Sequence, residues 1–226
     1  MNIVERTEFF LERMRAEPVL CLVTDRGYFK GPRFVELVAE AVEAGVNMVH
    51  LRDKDGQVPL RQSLEEGRIL RELCARRRIP FIVNDQLDLA MALDADGVHL
   101  GQGDLPLQTA RRLWGEGRLY GLSVSTVDHA RADDAALASY LGAGAVFETG
   151  TKRDAMVSGE GELARIAAAA GVEKPVIALG GIDATRARRA FDTGCRGVAV
   201  VSAVWGAASP SDAVRRILEA MEGDVR

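Results

Sequence analysis

Cysteine, histidine and aromatic residues are scarce in this chain of 226 residues, and no long apolar run or block of one charge interrupts it. Its three cysteines, Cys21, Cys74 and Cys195, are odd in number and lack metal-site spacing, which excludes a disulfide framework and a zinc cluster and suits a reducing cytoplasm. The three histidines add no metal motif, because none is paired at i, i+4 or with a cysteine. Lysine and arginine do not gather away from acidic neighbours and the net charge is -4, so nucleic acid is not an expected partner. No stretch is apolar enough to cross a membrane, and the N-terminal MNIVERTEFFLERMRAEP is charged and amphipathic rather than a secretory signal. No linker or shift in composition divides the chain. We therefore expect a single domain over 1–226, with an N-terminal helix over 1–17 closing one end and the remaining core over 18–222.

What is present is a regular alternation. Short apolar runs at Val19–Thr24, Val46–Leu51, Phe81–Val83, Gly97–Leu100, Leu119–Ser123, Tyr140–Phe147, Val176–Leu179 and Val198–Val201 read as strands. Between and after them, Arg33–Ala44, Leu60–Arg77, Gln86–Leu93, Leu107–Trp114, Val127–Ala136, Glu162–Ala170, Ala184–Thr193 and Ser211–Met221 read as helices. Eight such alternations imply an α/β fold of the closed (β/α)8 TIM-barrel type. A doubly wound open sheet would place a glycine-rich dinucleotide turn after the first strand, where TDRGYFKGP stands instead.

Chemistry in a barrel of this type gathers where the strands end at their C-termini. There the sequence puts Arg52 and Lys54 after the second strand, Asn84 and Asp85 after the third and Asp104 after the fourth. Ser123 lies on the fifth strand, Thr149, Thr151 and Lys152 follow the sixth, Gly180 and Gly181 the seventh, and Ser202 the eighth. Gly180 and Gly181 leave their amides open to an anion, and the loops after strands seven and eight are the usual phosphate site of the fold, so ALGGID and VVSAV read as a phosphate cradle. Two glycines needed only for a tight turn are the plainer alternative. A second anion site is expected where Arg52, Lys54, Asn84 and Lys152 converge. Asp85 and Asp104 end neighbouring parallel strands; each alone also suits a turn or helix cap, but beside those cations the pair suits a Mg2+ ion bridging to a diphosphate. His50 ends the second strand, where it can touch a ligand, and His99 reads as a hydrogen-bonded histidine in or near the barrel.

Seven motifs in order, LVTDR at Leu22, VHLRDK at Val49, IVNDQLDLAMALDADGVHLGQGDL at Ile82, GLS at Gly121, VFETGTKRDA at Val146, ALGGI at Ala178 and GVAVVSAV at Gly197, resemble the thiamine-phosphate synthase family over Leu22 to Val204. Thiazole tautomerases are the second resemblance. The first implies a (β/α)8 transferase that joins an aminopyrimidine methyl diphosphate to a thiazole phosphate, giving thiamine phosphate and diphosphate. It implies that His50, Leu51, Arg52, Asp53 and Lys54, with Asn84, Ser123 and Lys152, hold the pyrimidine diphosphate. Arg52, Lys54, Ser123 and Lys152 would be the catalytic members of that set. Thr149, Gly150, Thr151, Gly181, Val201 and Ser202 would hold the thiazole phosphate, and Asp85 and Asp104 the Mg2+.

The chain departs from the family's pattern at His50, where glutamine is usual, at Ser125, where histidine is usual, and at Glu148, where proline is usual. The loss of histidine at Ser125 counts against the tautomerase, which uses it to move protons. The implied partners are small molecules, and a homo-oligomer is compatible with the sequence. A phosphate-ligand binder without catalysis is the third reading, but it would have no need of the acidic pair.

Overall fold

A computed structural model describes residues 2–28, 33–53, 57–150 and 157–223. Eight parallel strands, β1 (Val19–Val23), β2 (Met48–Leu51), β3 (Phe81–Asn84), β4 (Gly97–Leu100), β5 (Leu119–Val124), β6 (Tyr140–Ala143), β7 (Val176–Leu179) and β8 (Gly197–Val200), pair in sequence order, and β8 closes on β1. The (β/α)8 expectation holds. Strand residues alternate between two apolar layers, as the period of two requires. Leu20, Leu22, Val49, Leu51, Phe81 and Val83 face the helices, while Cys21, Met48, Ile82, Leu119, Tyr140 and Ile177 fill the barrel.

The N-terminal helix α1 (Ile3–Ala16) begins at a reciprocal cap, in which Asn2 accepts from the Glu5 amide and the Glu5 side chain accepts from the Asn2 amide. Its Phe10 and Met14 join the interior cluster, so the helix plugs the N-terminal end of the barrel, as expected. Arg6 of this helix pairs at 2.7 Å with Asp96, which is 1% exposed and also accepts from the Phe81 amide. Burial raises the Asp96 pKa, opposed by Arg71, that amide, Arg6 and Arg118.

Helices α3 (Leu60–Arg77) and α5 (Leu107–Trp114) lie where periodicity puts them, and α2 (Phe34–Glu43), α4 (Leu87–Ala92), α8 (Gly159–Ala170) and α11 (Pro210–Glu222) differ only at their ends. Elsewhere local chemistry intervenes. The segment Val127–Ala136 forms two helices, α6 (Val127–Arg131) and α7 (Asp133–Leu137), because Ala132 between them is extended, with ψ 158°. Helix α9 shrinks to Ala187–Phe191, since Asp183 Oδ1 accepts from the Thr185 and Arg186 amides and holds the preceding turn out of the helix. The sixth strand stops at Ala143, and the chain beyond crosses toward β7, with Val146 and Phe147 donating to the carbonyls of Leu179 and Gly180. A further short helix, α10 (Ser202–Trp205), follows β8 directly.

Candidate active site

In a closed barrel of eight strands in sequence order, β3 lies across from β7 and β4 across from β8. The ends of β2 to β5 and the ends of β7 and β8 therefore form two sides of one mouth.

On the first side, Arg52 is held in place by the end of β1. Its Nη1 donates to Asp25 Oδ2 at 2.7 Å, its amide donates to Thr24 Oγ1 at 2.9 Å, and the Thr24 hydroxyl donates back to the Arg52 carbonyl at 3.2 Å. Asp25 also accepts from the Gly27 amide at 2.7 Å, so one buried carboxylate fixes both a turn and a guanidinium. Sequence reasoning assigned Thr24 and Asp25 no role; the available signal was a pair of polar residues directly after a strand. Beside them Arg26, 6% exposed, pairs with Glu66 and lies 3.7 Å over the Phe34 ring, which stacks on Trp205 of α10.

Two neighbours implied by the resemblance turn away from the mouth. Leu51 is packed in the outer core, and the carboxylate of Asp53 is buried against the Ser63 hydroxyl of α3, which donates to it. Gln86 donates to the Asp53 carbonyl at 3.1 Å, tying the β2 and β3 loops together. Lys54, Thr151 and Lys152 lie outside the described residues.

Asp85 is exposed and has φ +64°, a left-handed conformation that aspartate tolerates better than most residues. Its amide donates to the His99 carbonyl at 2.9 Å, which sets it beside the end of β4. Asp104, also exposed, accepts from the Gly101 amide at 2.6 Å and so is held within the turn that follows β4. Both carboxylates thus belong to adjacent strand ends. Among the described residues no group of three or more histidine, cysteine or acidic side chains is placed to hold a metal. Two hard oxygen donors with no third ligand among the described residues fit Mg2+, which takes its remaining ligands from phosphate and water, better than zinc.

Just below this rim, above the apolar interior, lies a layer of polar side chains. Tyr140 Oη lies 3.1 Å from His50 Nε2 and 3.2 Å from His99 Nδ1, and His99 Nε2 lies 2.8 Å from Ser123 Oγ. Burial lowers the His50 pKa well below the usual histidine value, with a further push from His99 and a smaller opposing pull from Asn84. Burial likewise lowers His99 to about 4, against a weaker pull from Asp104. Both rings are neutral at pH 7. Gln102 donates to the Ser123 carbonyl at 2.8 Å. The imidazole of His129 reaches Ser125, with Nδ1 3.2 Å from the hydroxyl oxygen.

Across the mouth, Gly180 and Gly181 have φ +99° and +67°. A side chain at 181 would strike the Glu148 carbonyl, and one at 180 would come within 2.6 Å of Ala145 Cα. These glycines serve close packing between the β6 and β7 loops. Arg186 braces them, donating to the Gly181 carbonyl at 2.8 Å with its guanidinium 5.2 Å from the Phe147 ring. Thr149 is half-buried and Gly150 exposed on the β6 loop. Val201 caps α10, whose first residue, Ser202, is exposed; Trp205 anchors that helix by donating to the Val23 carbonyl at 2.9 Å.

The family model described as thiamine monophosphate synthase matches residues 20–204. The thiamine-phosphate synthase of Haloarcula marismortui is 43% identical over 205 residues, covering 89% of this chain and 95% of that protein. That of Desulfitobacterium hafniense is 41% identical over 208 residues, covering 91% and 98%. Among solved structures, thiamine phosphate pyrophosphorylase from Pyrococcus furiosus superposes with a TM-score of 0.82 at 37% identity, over 92% of this chain and 98% of that one.

Proposed function

The chain belongs to the thiamine monophosphate synthase family, and from that premise we propose that its barrel mouth joins an aminopyrimidine methyl diphosphate to a thiazole phosphate, forming thiamine phosphate and diphosphate. The observation that carries this assignment of the mouth is its two-sidedness. A fixed arginine and two carboxylates stand at the β2 to β4 ends, and the glycine turn and α10 stand opposite, at β7 and β8. Two anionic substrates suit two such sides.

In this reading Arg52, aligned by Asp25 and Thr24, offers its remaining N–H groups to the diphosphate, together with Lys54 and Lys152. Asn84 and Ser123 hold the pyrimidine ring. His50, kept neutral by burial, has one donor and one acceptor as a glutamine amide would, and with Nε2 on the Tyr140 hydroxyl its Nδ1 faces the pyrimidine side. Asp85 and Asp104 would hold Mg2+, which when bound neutralises charge on the departing diphosphate. The C–O bond to the leaving diphosphate breaks with its electron pair going to oxygen, the pyrimidine delocalises the positive charge left on its methylene carbon, and the thiazole nitrogen closes the new C–N bond. Gly181, Val201 and Ser202, with Thr149, Gly150 and Thr151, hold the thiazole phosphate so that this nitrogen stands close. No side-chain nucleophile takes part.

The contact of His129 with Ser125 favours a second reading, a thiazole tautomerase, because it brings an imidazole to the place where this chain lacks the usual histidine. The experiment that separates the two measures coupling by Asp85→Ala and Asp104→Ala, with circular dichroism to confirm folding. The synthase predicts a loss of roughly 100-fold or more in each. Full coupling by both folded variants would remove the carboxylates from the mechanism.

A further inference from the structure

The polar groups inside the mouth lie on five strands, yet they form one chain. His50 on β2 and His99 on β4 share the hydroxyl of Tyr140 on β6, and His99 meets Ser123 on β5; Asn84 on β3 stands beside His50, its buried Oδ1 still without a hydrogen-bond partner among the described residues. Asn84 and Ser123, the two ends, are partly exposed, while everything between them is buried. Space for the chain is left deliberately by glycine. A side chain at Gly121 would strike the Tyr140 hydroxyl and the His99 ring, and one at Gly142 would come within 2.8 Å of His99 Cε1.

The proton count in this chain is constrained. A neutral imidazole carries one N–H, and the tyrosine hydroxyl has one proton to give. His50 turns Nε2 to that hydroxyl, whereas His99 turns Nδ1 to it. If Tyr140 donates to His50, the His50 proton sits on Nδ1, and the tyrosine oxygen accepts from Nδ1–H of His99. Ser123 then donates to His99 Nε2, and its oxygen is left to accept from a ligand. If Tyr140 donates to His99 instead, every bond reverses: both rings carry the proton on Nε2, and the Ser123 proton is free for a ligand. A mixed arrangement leaves a donor or acceptor unpaired in the barrel interior, which burial penalises. The two rings are therefore bound to share one tautomer, and the two ends of the chain always have opposite sense.

We propose that Tyr140 is a positioning residue for pyrimidine recognition, coupling Ser123 to the His50–Asn84 end so that the site reads a donor and acceptor on one heterocycle edge as a unit. The aminopyrimidine supplies that pair, an amino group that donates and a ring nitrogen that accepts. It selects one of the two arrangements, according to which end of the chain its amino group faces. This inference rests on the synthase reading for its ligand, although the pairing of tautomers does not.

Two measurements test it. In wild-type protein labelled with 15N in histidine, His50 and His99 are expected to show the same tautomer, both before and after aminopyrimidine methyl diphosphate is added. Opposite tautomers in the two rings would overturn the proposal, whether or not Tyr140→Phe folds. In steady-state coupling, Tyr140→Phe is expected to raise KM for the pyrimidine diphosphate about tenfold, the scale of one lost hydrogen bond, with KM for the thiazole phosphate unchanged. Combining it with Ser123→Ala should add little further loss, since both act through one chain. An unchanged pyrimidine KM, or fully additive losses, would overturn the role of Tyr140. Failure of the synthase reading looks different, because then wild type itself makes no thiamine phosphate.

Discussion

At the scale of single residues, the rim side chains proposed to act on substrate depend on buried partners. Asp25 is the clearest case, since Asn at this position keeps an acceptor for the Gly27 amide but loses the charge that fixes Arg52. Asp25→Asn is expected to lower kcat/KM by roughly 10- to 100-fold with little change in urea midpoint, the range seen when a supporting partner is removed. Unchanged kinetics would mean that Arg52 needs no alignment.

His99 makes a separate prediction for stability. Its pKa is about 4 in the fold and near the usual 6.5 unfolded, so between those values the unfolded chain binds more protons than the native one. Stability from this group is complete above pH 6.5 and falls as pH drops toward 4, by on the order of 3 kcal/mol. The urea midpoint should fall further between pH 7 and pH 4.5 in wild type than in His99→Gln. Parallel slopes in the two proteins would contradict the buried neutral ring.

At the scale of elements, α1 and the glycine turn show two kinds of dependence. Phe10 of α1 is 3% exposed against the barrel floor, far from the mouth, so Phe10→Ala should cost about 3–5 kcal/mol while activity per folded molecule stays constant. Gly181→Val should abolish thiazole phosphate binding in calorimetry and leave pyrimidine diphosphate binding in place. Its cause, however, is a clash with the Glu148 carbonyl that displaces the β6 loop rather than simple blocking of an anion. Equal weakening of both ligands would show disruption spreading through the barrel.

The elements were legible where hydrophobic periodicity was strong, as in α3, α5 and all eight strand positions. They were not legible where side-chain to backbone bonds compete with the helix, as at Asp183, or where a strand leaves its neighbour, as after Ala143. The short helix α10 was also missed, since four residues carry no period.

At the scale of the whole molecule, the order of strands in a closed barrel converts a linear string of motifs into a ring, which is why the described rim residues could be placed at the strand ends without coordinates. Direction along the ring was readable, and depth was not. Leu51 and Asp53 share a motif with Arg52 yet turn their side chains outward, toward the helices, because alternation and local hydrogen bonding decide each position separately. The Asn84 to Ser123 chain was invisible for the same reason, since its members come from five strands and meet only in the interior. All three cysteines are free and buried, in keeping with the absence of a disulfide framework. Among the described residues no helix is long and apolar enough to cross a membrane.

The most direct test of the account is the initial rate at which wild-type protein, given both substrates, forms thiamine phosphate and diphosphate in Mg2+ and in EDTA. The two products are expected in equal amounts with Mg2+, and both nearly cease in EDTA. Diphosphate without thiamine phosphate, or neither product in Mg2+, would contradict it.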